Sequence, residues 1–230
     1  MPLAIVTGTS RGLGRALAER LLAAGWTVHG FARQPDAWTP PGFVAHVVDV
    51  GDPAAVRAAV AAITADGATV DLLVNNAGVA AMNALLLTPP ETAAELMRVN
   101  YLGAFHCLQA VGKAMVRARR GRILNVTTVA VPLALEGEAA YVASKAAVEA
   151  LTRVAARELA AQGIVVAAVG LGPVDTRLTR AVGAGQLARL NQRIGRPAGT
   201  TLAEAADFLL RHATDPRLVT GSIHYLGEVA

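Results

Sequence analysis

The chain has 230 residues, a net charge of +4, and 17% charged against 53% hydrophobic residues. This balance excludes charge-driven disorder and suits one sizeable core in one domain, 1–230. The longest uncharged apolar stretch, 164–174, is about half a membrane span and contains glycine and proline, so no transmembrane helix is expected.

The amino-terminal MPLAIVTGTSRG has no basic segment ahead of its apolar run, unlike a secretory signal, and the expected compartment is the cytoplasm. Strand-like runs then alternate with helix-length, alanine-rich segments. The strand candidates are 3–7, 27–32, 44–48, 70–75, 122–127, 164–169 and 222–226. That alternation predicts an α/β fold with a doubly wound, mostly parallel seven-stranded sheet and helices on both faces. Helix starts are marked by Asp52-Pro53, by Thr88-Pro89-Pro90-Glu91 and by Thr201 with Glu204. Gly25 and Gly163 read as helix stops. The least regular stretch, 176–200, is a candidate substrate lid.

Other chemistries find little support. The single cysteine, Cys107, lies in the apolar run AFHCLQAV, which excludes an intrachain disulfide and reads as a buried thiol. His29, His46, His106, His212 and His224 are scattered without ligand spacing, so no metal is expected. The cluster Arg117, Arg119, Arg120 and Arg122 lacks interleaved aromatics and is broken by Gly121. It reads as a solvated helix end, and no nucleic-acid partner is expected.

The first strand runs into Thr7-Gly8-Thr9-Ser10-Arg11-Gly12-Leu13-Gly14, followed by Leu13, Leu17 and Leu21 at helical spacing. This is the pattern of a dinucleotide-binding turn. Gly8 permits the tight turn, Gly12 lets backbone approach a pyrophosphate, and Gly14 permits close helix–strand packing. At the second strand's end, HGFARQ offers no carboxylate for a ribose 2′-hydroxyl. It offers Arg33 after Ala32, with Arg11 in the first turn nearby, a combination that suits the 2′-phosphate of NADP(H). Two merely exposed arginines are the other reading.

Tyr141 and Lys145 stand four apart in a strongly helical segment and so share a face. A phenol near pKa 10 is a poor acid–base catalyst at neutral pH, and a neighbouring ammonium lowers its pKa. Such pairs also occur by chance on solvated helices.

Together these motifs resemble the short-chain dehydrogenase/reductase family over nearly the whole chain, which implies a Rossmann fold. TGTSRGLG matches at 7–14, NNAG at 75–78, the helix asparagine at Asn100 and YVASK at 141–145. Asp49, with Val50 beside it, matches the adenine contact, and the segment from Leu171 through Gly172, Val174 and Thr176 matches the one over the nicotinamide. The resemblance implies NADP and hydride transfer at a carbonyl, with Tyr141 as general acid in reduction. Lys145 would hold the nicotinamide ribose and tune Tyr141, Asn100 would anchor a proton-supplying water, and Asn76, Ala77 and Gly78 would support the cofactor. Where the family most often has serine this chain has Thr128, a carbonyl hydrogen-bond donor whose methyl narrows the pocket, with Thr127 as the alternative. Leu171 replaces the first residue of the family's PG pair, so backbone geometry above the nicotinamide is open.

Within the family the pattern is closest to the 3-oxoacyl-[acyl-carrier-protein] reductases. Arg119 matches one basic position of their carrier-docking surface, but Gln162 stands at the other and the tail HYLGEVA is short. The expected reaction is NADPH-dependent reduction of a ketone or aldehyde, small or carried as an acyl thioester. The lid's five arginines suit an anionic or carrier-bound substrate, or form only a solvated helix face. A catalytically silent NADP(H)-binding sensor or scaffold is the alternative function. Finally, the resemblance implies a homotetramer built on helices at 100–118 and 140–161, or a dimer if the short tail does not support the larger assembly.

Overall fold

A computed structural model describes residues 1–34, 37–174 and 183–229. Its strands are β1 (Leu3–Thr7), β2 (Thr27–Ala32), β3 (Phe43–Val47), β4 (Leu72–Asn75), β5 (Gly121–Thr128), β6 (Ile164–Leu171) and β7 (Ile223–Leu226). They form one all-parallel sheet in the order β3-β2-β1-β4-β5-β6-β7. The order reverses direction at β1, where α/β sheets open a crevice beyond the carboxyl ends of their strands.

Alternation along the strands explains the layering. Ala4 and Val6 of β1 face a core shared with Leu17 and Leu21 of α1 (Gly12–Ala23) and Leu209 of α8 (Leu202–Thr214). Ile5 between them faces the other core, with Val56 of α2 (Pro53–Ile63), Val111 of α4 (Gly103–Ala118) and Ala155 of α6 (Ala139–Leu159), which follows the short α5 (Ala130–Leu133). Central strands buried on both faces read as continuous apolar runs, which is why seven short runs sufficed to predict the sheet.

Local signals were mostly met. Asp52 accepts from the amides of Ala54 and Ala55 at the start of α2, and Thr201 with Glu204 forms a complete capping box on α8. Thr88 does not cap: its hydroxyl donates to the Ala84 carbonyl at 3.1 Å, and Pro89 holds the cap position of α3 (Pro90–Leu96) without a side-chain bond. Gly25 (φ +81°) and Gly163 (φ +75°) do stop their helices in the left-handed region. Between α3 and α4 the chain widens into a π-helical turn, Met97–Leu102. Such turns interrupt a helix and are frequent at functional sites.

Two surface expectations need correcting. Arg122 is not part of a solvated helix end: it is half-buried and donates to the carbonyls of His212, Ala213 and Asp215, closing the carboxyl end of α8. Four of the five histidines, scattered in sequence, meet in pairs in space: β2–β3 pairing stacks His29 on His46, and His212 lies 4.7 Å from His224 between ring centres. No cluster of three or more metal-ligating side chains occurs among the described residues. Cys107 is buried, which pushes its thiol up to about 12. Among the described residues no helix is long and apolar enough to cross a membrane.

Candidate active site

A cleft of about 1310 Å³ runs along the carboxyl ends of the strands. At one end β1 delivers the chain into Gly8 (φ +78°) and Gly12 (φ +58°), and α1 starts at Gly12 without a side-chain cap. Free N–H groups and a positive dipole therefore face the cleft. A Cβ at Gly14 would overlap the carbonyl oxygen of Gly8, so only glycine lets the helix come this close. Asn76 fastens the turn from the other side, its side-chain amide donating to the Thr7 carbonyl at 2.8 Å. The Thr7 hydroxyl accepts from the amides of Asn76 and Ala77 at 3.0 and 2.9 Å. Ser10, Arg11 and Leu13 line the same end. The cradle fits a pyrophosphate because its donors are backbone amides and its glycines leave the space.

Next to it, Arg33 at the end of β2 is exposed and lines the cleft, as do Asp49 and Val50 after β3. Asp49 accepts from the Gly51 amide at 2.9 Å and from Arg98 at 3.0 Å, and Arg98 also holds Glu95. Burial pushes the Asp49 carboxyl up, but the Gly51 amide and Arg98 outweigh it and the group stays below its ordinary range. Arg98 was not among the predicted residues, although its place two residues before Asn100 put it near the site.

The other end carries the reactive side chains. β5 runs one residue further than predicted and ends on Thr128, whose hydroxyl accepts from the Ala130 amide at 3.2 Å and lies near enough to Tyr141 to favour its phenolate. Thr127 lines the cleft too, but its hydroxyl has a partner of its own. Its hydroxyl points to Glu149, donating at 3.0 Å to a carboxylate that also accepts from Tyr225 at 2.8 Å.

Lys145 stands one turn beyond Tyr141 on α6, buried, with Nζ donating to the Val126 carbonyl at 2.8 Å. Asn100 sits in the π-turn at 2% exposure. Its amide donates to the Val79 carbonyl and to Ser144, and its oxygen accepts from the Val79 amide. One lone pair of that oxygen is the side chain's only remaining hydrogen-bonding capacity. Gly78 leaves open space here, because a Cβ would lie 3.1 Å from Asn100 Oδ1 and 3.5 Å from Lys145 Nζ.

The expected tuning of the tyrosine is not met. Tyr141 is pushed up to about 12, first by burial and then by the Glu138 carboxylate, with only the Thr128 hydroxyl acting downward. Burial also draws Lys145 down to about 8, so the ammonium that was to stabilise the phenolate is itself weakened. Glu138, the residue at the amino-terminal cap of α6 three before Tyr141, was missed.

Leu171 ends β6 by accepting from the Val129 amide at 3.1 Å, and Gly172, Pro173 and Val174 line the cleft. Leu171, where the family has proline, thus ends the strand that leads into this wall. Thr176 lies outside the described residues, as do the other positions of 175–182. The rest of the proposed lid holds α7 (Ala184–Arg193), and a Val174–Thr200 bridge ties its end to the strand exit.

Comparison with known proteins gives a consistent result. The profile of the family described as short chain dehydrogenase matches residues 2–187. The 3-oxoacyl-[acyl-carrier-protein] reductase FabG of Escherichia coli (strain K12) is 34% identical over 216 residues, covering 90% of this chain and 88% of that protein. FabG of Vibrio cholerae serotype O1 is 36% identical over 186 residues, covering 78% and 76%. The solved gluconate 5-dehydrogenase of Burkholderia cenocepacia J2315, in complex with NADP and tartrate, superposes with a TM-score of 0.89 at 29% identity. That match covers 98% of this chain and 93% of that one. The aldohexose dehydrogenase of Thermoplasma acidophilum gives 0.86 at 25% identity, covering 98% and 92%.

Proposed function

Because the chain belongs to the short chain dehydrogenase family, whose members are nicotinamide-dependent oxidoreductases, we propose that it reduces a ketone or aldehyde to an alcohol with NADPH. The observation that carries this reading is the convergence of Thr128, Tyr141 and Lys145 on one wall of the cleft that begins in the Gly8–Gly14 cradle. The nicotinamide, when bound, supplies the hydride.

The chain's own groups do the rest. Thr128 donates a hydrogen bond to the carbonyl oxygen, and Tyr141 gives that oxygen its proton. Lys145 holds the nicotinamide ribose. Asn100 braces the Val79 segment against Ser144 and so fixes the turn of α6 that carries Lys145, and it anchors the water that resupplies the proton. Gly8, Ser10, Arg11, Gly12, Leu13 and Gly14 hold the pyrophosphate, and Asp49 and Val50 the adenine. Asn76, Ala77, Gly78, Gly172, Val174 and Thr176 hold the nicotinamide half. Arg33 and Arg11 form no ion pair among the described residues, which supports a 2′-phosphate partner. The NADP in the Burkholderia relative supports the same choice.

The names of the relatives place a 3-oxoacyl carrier thioester on the substrate panel beside small ketones and aldehydes. Arg119 of the expected docking surface bonds to Gln162 and to the Ala161 carbonyl, so one guanidinium serves where two were expected. A silent sensor is not favoured, because the chain keeps Asn100, Tyr141 and Lys145 together and Thr128, Tyr141 and Lys145 line the same cleft. We further propose a homo-oligomer, tetramer or dimer, formed through α4 and α6. Val154 on α6 and Leu102 beside α4, at 54% and 38% exposure, support it, and a monomer by light scattering at micromolar concentration refutes it.

The test follows NADPH absorbance with acetoacetyl carrier thioester, small ketones, aldehydes and diketones, with Tyr141→Phe as the blank. Turnover by the wild type alone supports the reading. Silence on every substrate with NADPH still bound returns the sensor.

A further inference from the structure

Side chains of both charges line the cleft outside the glycine turn. On α7, Gln186, Arg189, Leu190 and Arg193 recur at i, i+3, i+4 and i+7, and all four line the cleft. Two of the lid's arginines, both exposed, therefore face the cleft. The chain entering α6 contributes Glu136 and Glu138 to the lining of the same cleft.

The placement of α7 is fixed by its apolar side. Ile194, immediately after the helix, is fully buried with Val129 and Leu133, and Leu190 packs on the same cluster. Ile194 also fills the space left by Gly172, its Cδ1 lying 2.6 Å from where a Cβ would stand. Val129 follows Thr128, so this seat is beside the reacting end. The glycine turn follows β1, three strands away from β6, roughly 14 Å at the usual strand spacing. Among the described residues neither Arg189 nor Arg193 forms an ion pair.

We propose that Arg189 and Arg193 form an anion-recognition site and that the substrate is a keto acid, its own carboxylate held by α7. The proposal rests on the carbonyl-reduction reading and names the substrate class for that site. Guanidinium–carboxylate bonds are charge-assisted and directional. Glu136 and Glu138 repel the same carboxylate, so the substrate enters in one orientation, with its carbonyl towards Thr128 and Tyr141. The carbonyl carbon gains a hydride from the nicotinamide, its oxygen gains the Tyr141 proton, and the carboxylate is unchanged.

The experiment compares acetoacetate and levulinate with their methyl esters, and with acetoacetyl-coenzyme A, in the wild type and in the double variant Arg189→Gln, Arg193→Gln. The expected result is a wild-type preference for the acids of roughly 10- to 100-fold in kcat/KM. That preference falls to within about threefold in the variant, with ester turnover and NADPH affinity unchanged. Equal use of acid and ester by the wild type overturns the proposal, as does an acid preference that survives in the variant. A variant that binds NADPH more weakly assigns the arginines to the cofactor instead. If only acetoacetyl-coenzyme A responds to the variant, the anion recognised is a phosphate and the keto-acid assignment fails. If no carbonyl compound is reduced, the reduction reading fails separately, and calorimetry with levulinate and methyl levulinate decides the anion site. Tighter levulinate binding that the variant abolishes sustains the site, and equal binding ends it.

Discussion

The two ends of the cleft are made of different material. The phosphate end is backbone: positive-φ glycines, the uncapped first turn of α1 and the Asn76–Thr7 stitch, with exposed arginines at its rim. The chemical end is side chain: Thr128, Tyr141 and Lys145, held by a buried polar frame of Asn100, Ser144 and Glu149. Backbone donors bind any phosphate of the right shape, whereas reaction and selectivity require particular functional groups. Substitutions at the two ends are therefore expected to fail differently.

The largest separation is expected from Tyr141→Phe. Loss of a positioned general acid costs about 10²- to 10⁴-fold, so kcat is expected to collapse while NADPH affinity, read by fluorescence titration, stays within a few-fold. Parallel loss of both would show that the two ends do not act separately. At the opposite end, Arg33→Asp replaces the rim cation with a carboxylate. NADPH affinity is expected to fall roughly 10- to 100-fold while NADH affinity changes little. An equal loss for both refutes the 2′-phosphate assignment.

A smaller contrast lies within the chemical end, between adjacent residues. Thr128→Val is expected to lower kcat/KM by more than about tenfold with NADPH affinity unchanged. Thr127→Val, which removes the hydroxyl facing Glu149, is expected to lower stability by about 1 kcal/mol with nearly normal turnover. Reversed results would exchange the roles of the two hydroxyls.

The same contrast explains what was legible in the sequence. The glycine turn could be read because backbone conformation leaves a local signature: only glycine serves at φ +78° or where a Cβ would meet a carbonyl. The sheet could be read because buried parallel strands are unbroken apolar runs. The choice between Thr127 and Thr128 could not, since it depends on Glu149 from α6 and Tyr225 from β7 meeting one hydroxyl across the fold. Nor could the state of Tyr141, because i,i+4 spacing places the lysine on the same face but does not report the burial that weakens its ammonium or the carboxylate on the preceding turn. The arginines of α7 were visible as composition, but which of them face the cleft was decided by where Ile194 and Leu190 anchor the helix.

Burial of Lys145 sharpens the comparison through stability rather than rate. Its pKa is drawn down by burial to about 8 from an ordinary 10.5. Between those values the unfolded chain binds more protons than the folded one, so this group makes stability rise as pH rises from 8. Cys107, pushed up to about 12, acts in the opposite sense above pH 9, because the folded thiol keeps a proton that the unfolded chain releases. The net slope of the wild type is therefore not diagnostic, and the comparison must be with Lys145→Met, which retains Cys107 and removes only the ammonium. Urea unfolding at pH 8 and 9.5 is expected to give the wild type a gain about 1–2 kcal/mol larger than the variant's across that interval. Identical pH dependence in the two proteins would mean that Lys145 titrates normally in the fold and that the chemical end is better hydrated than its buried frame implies.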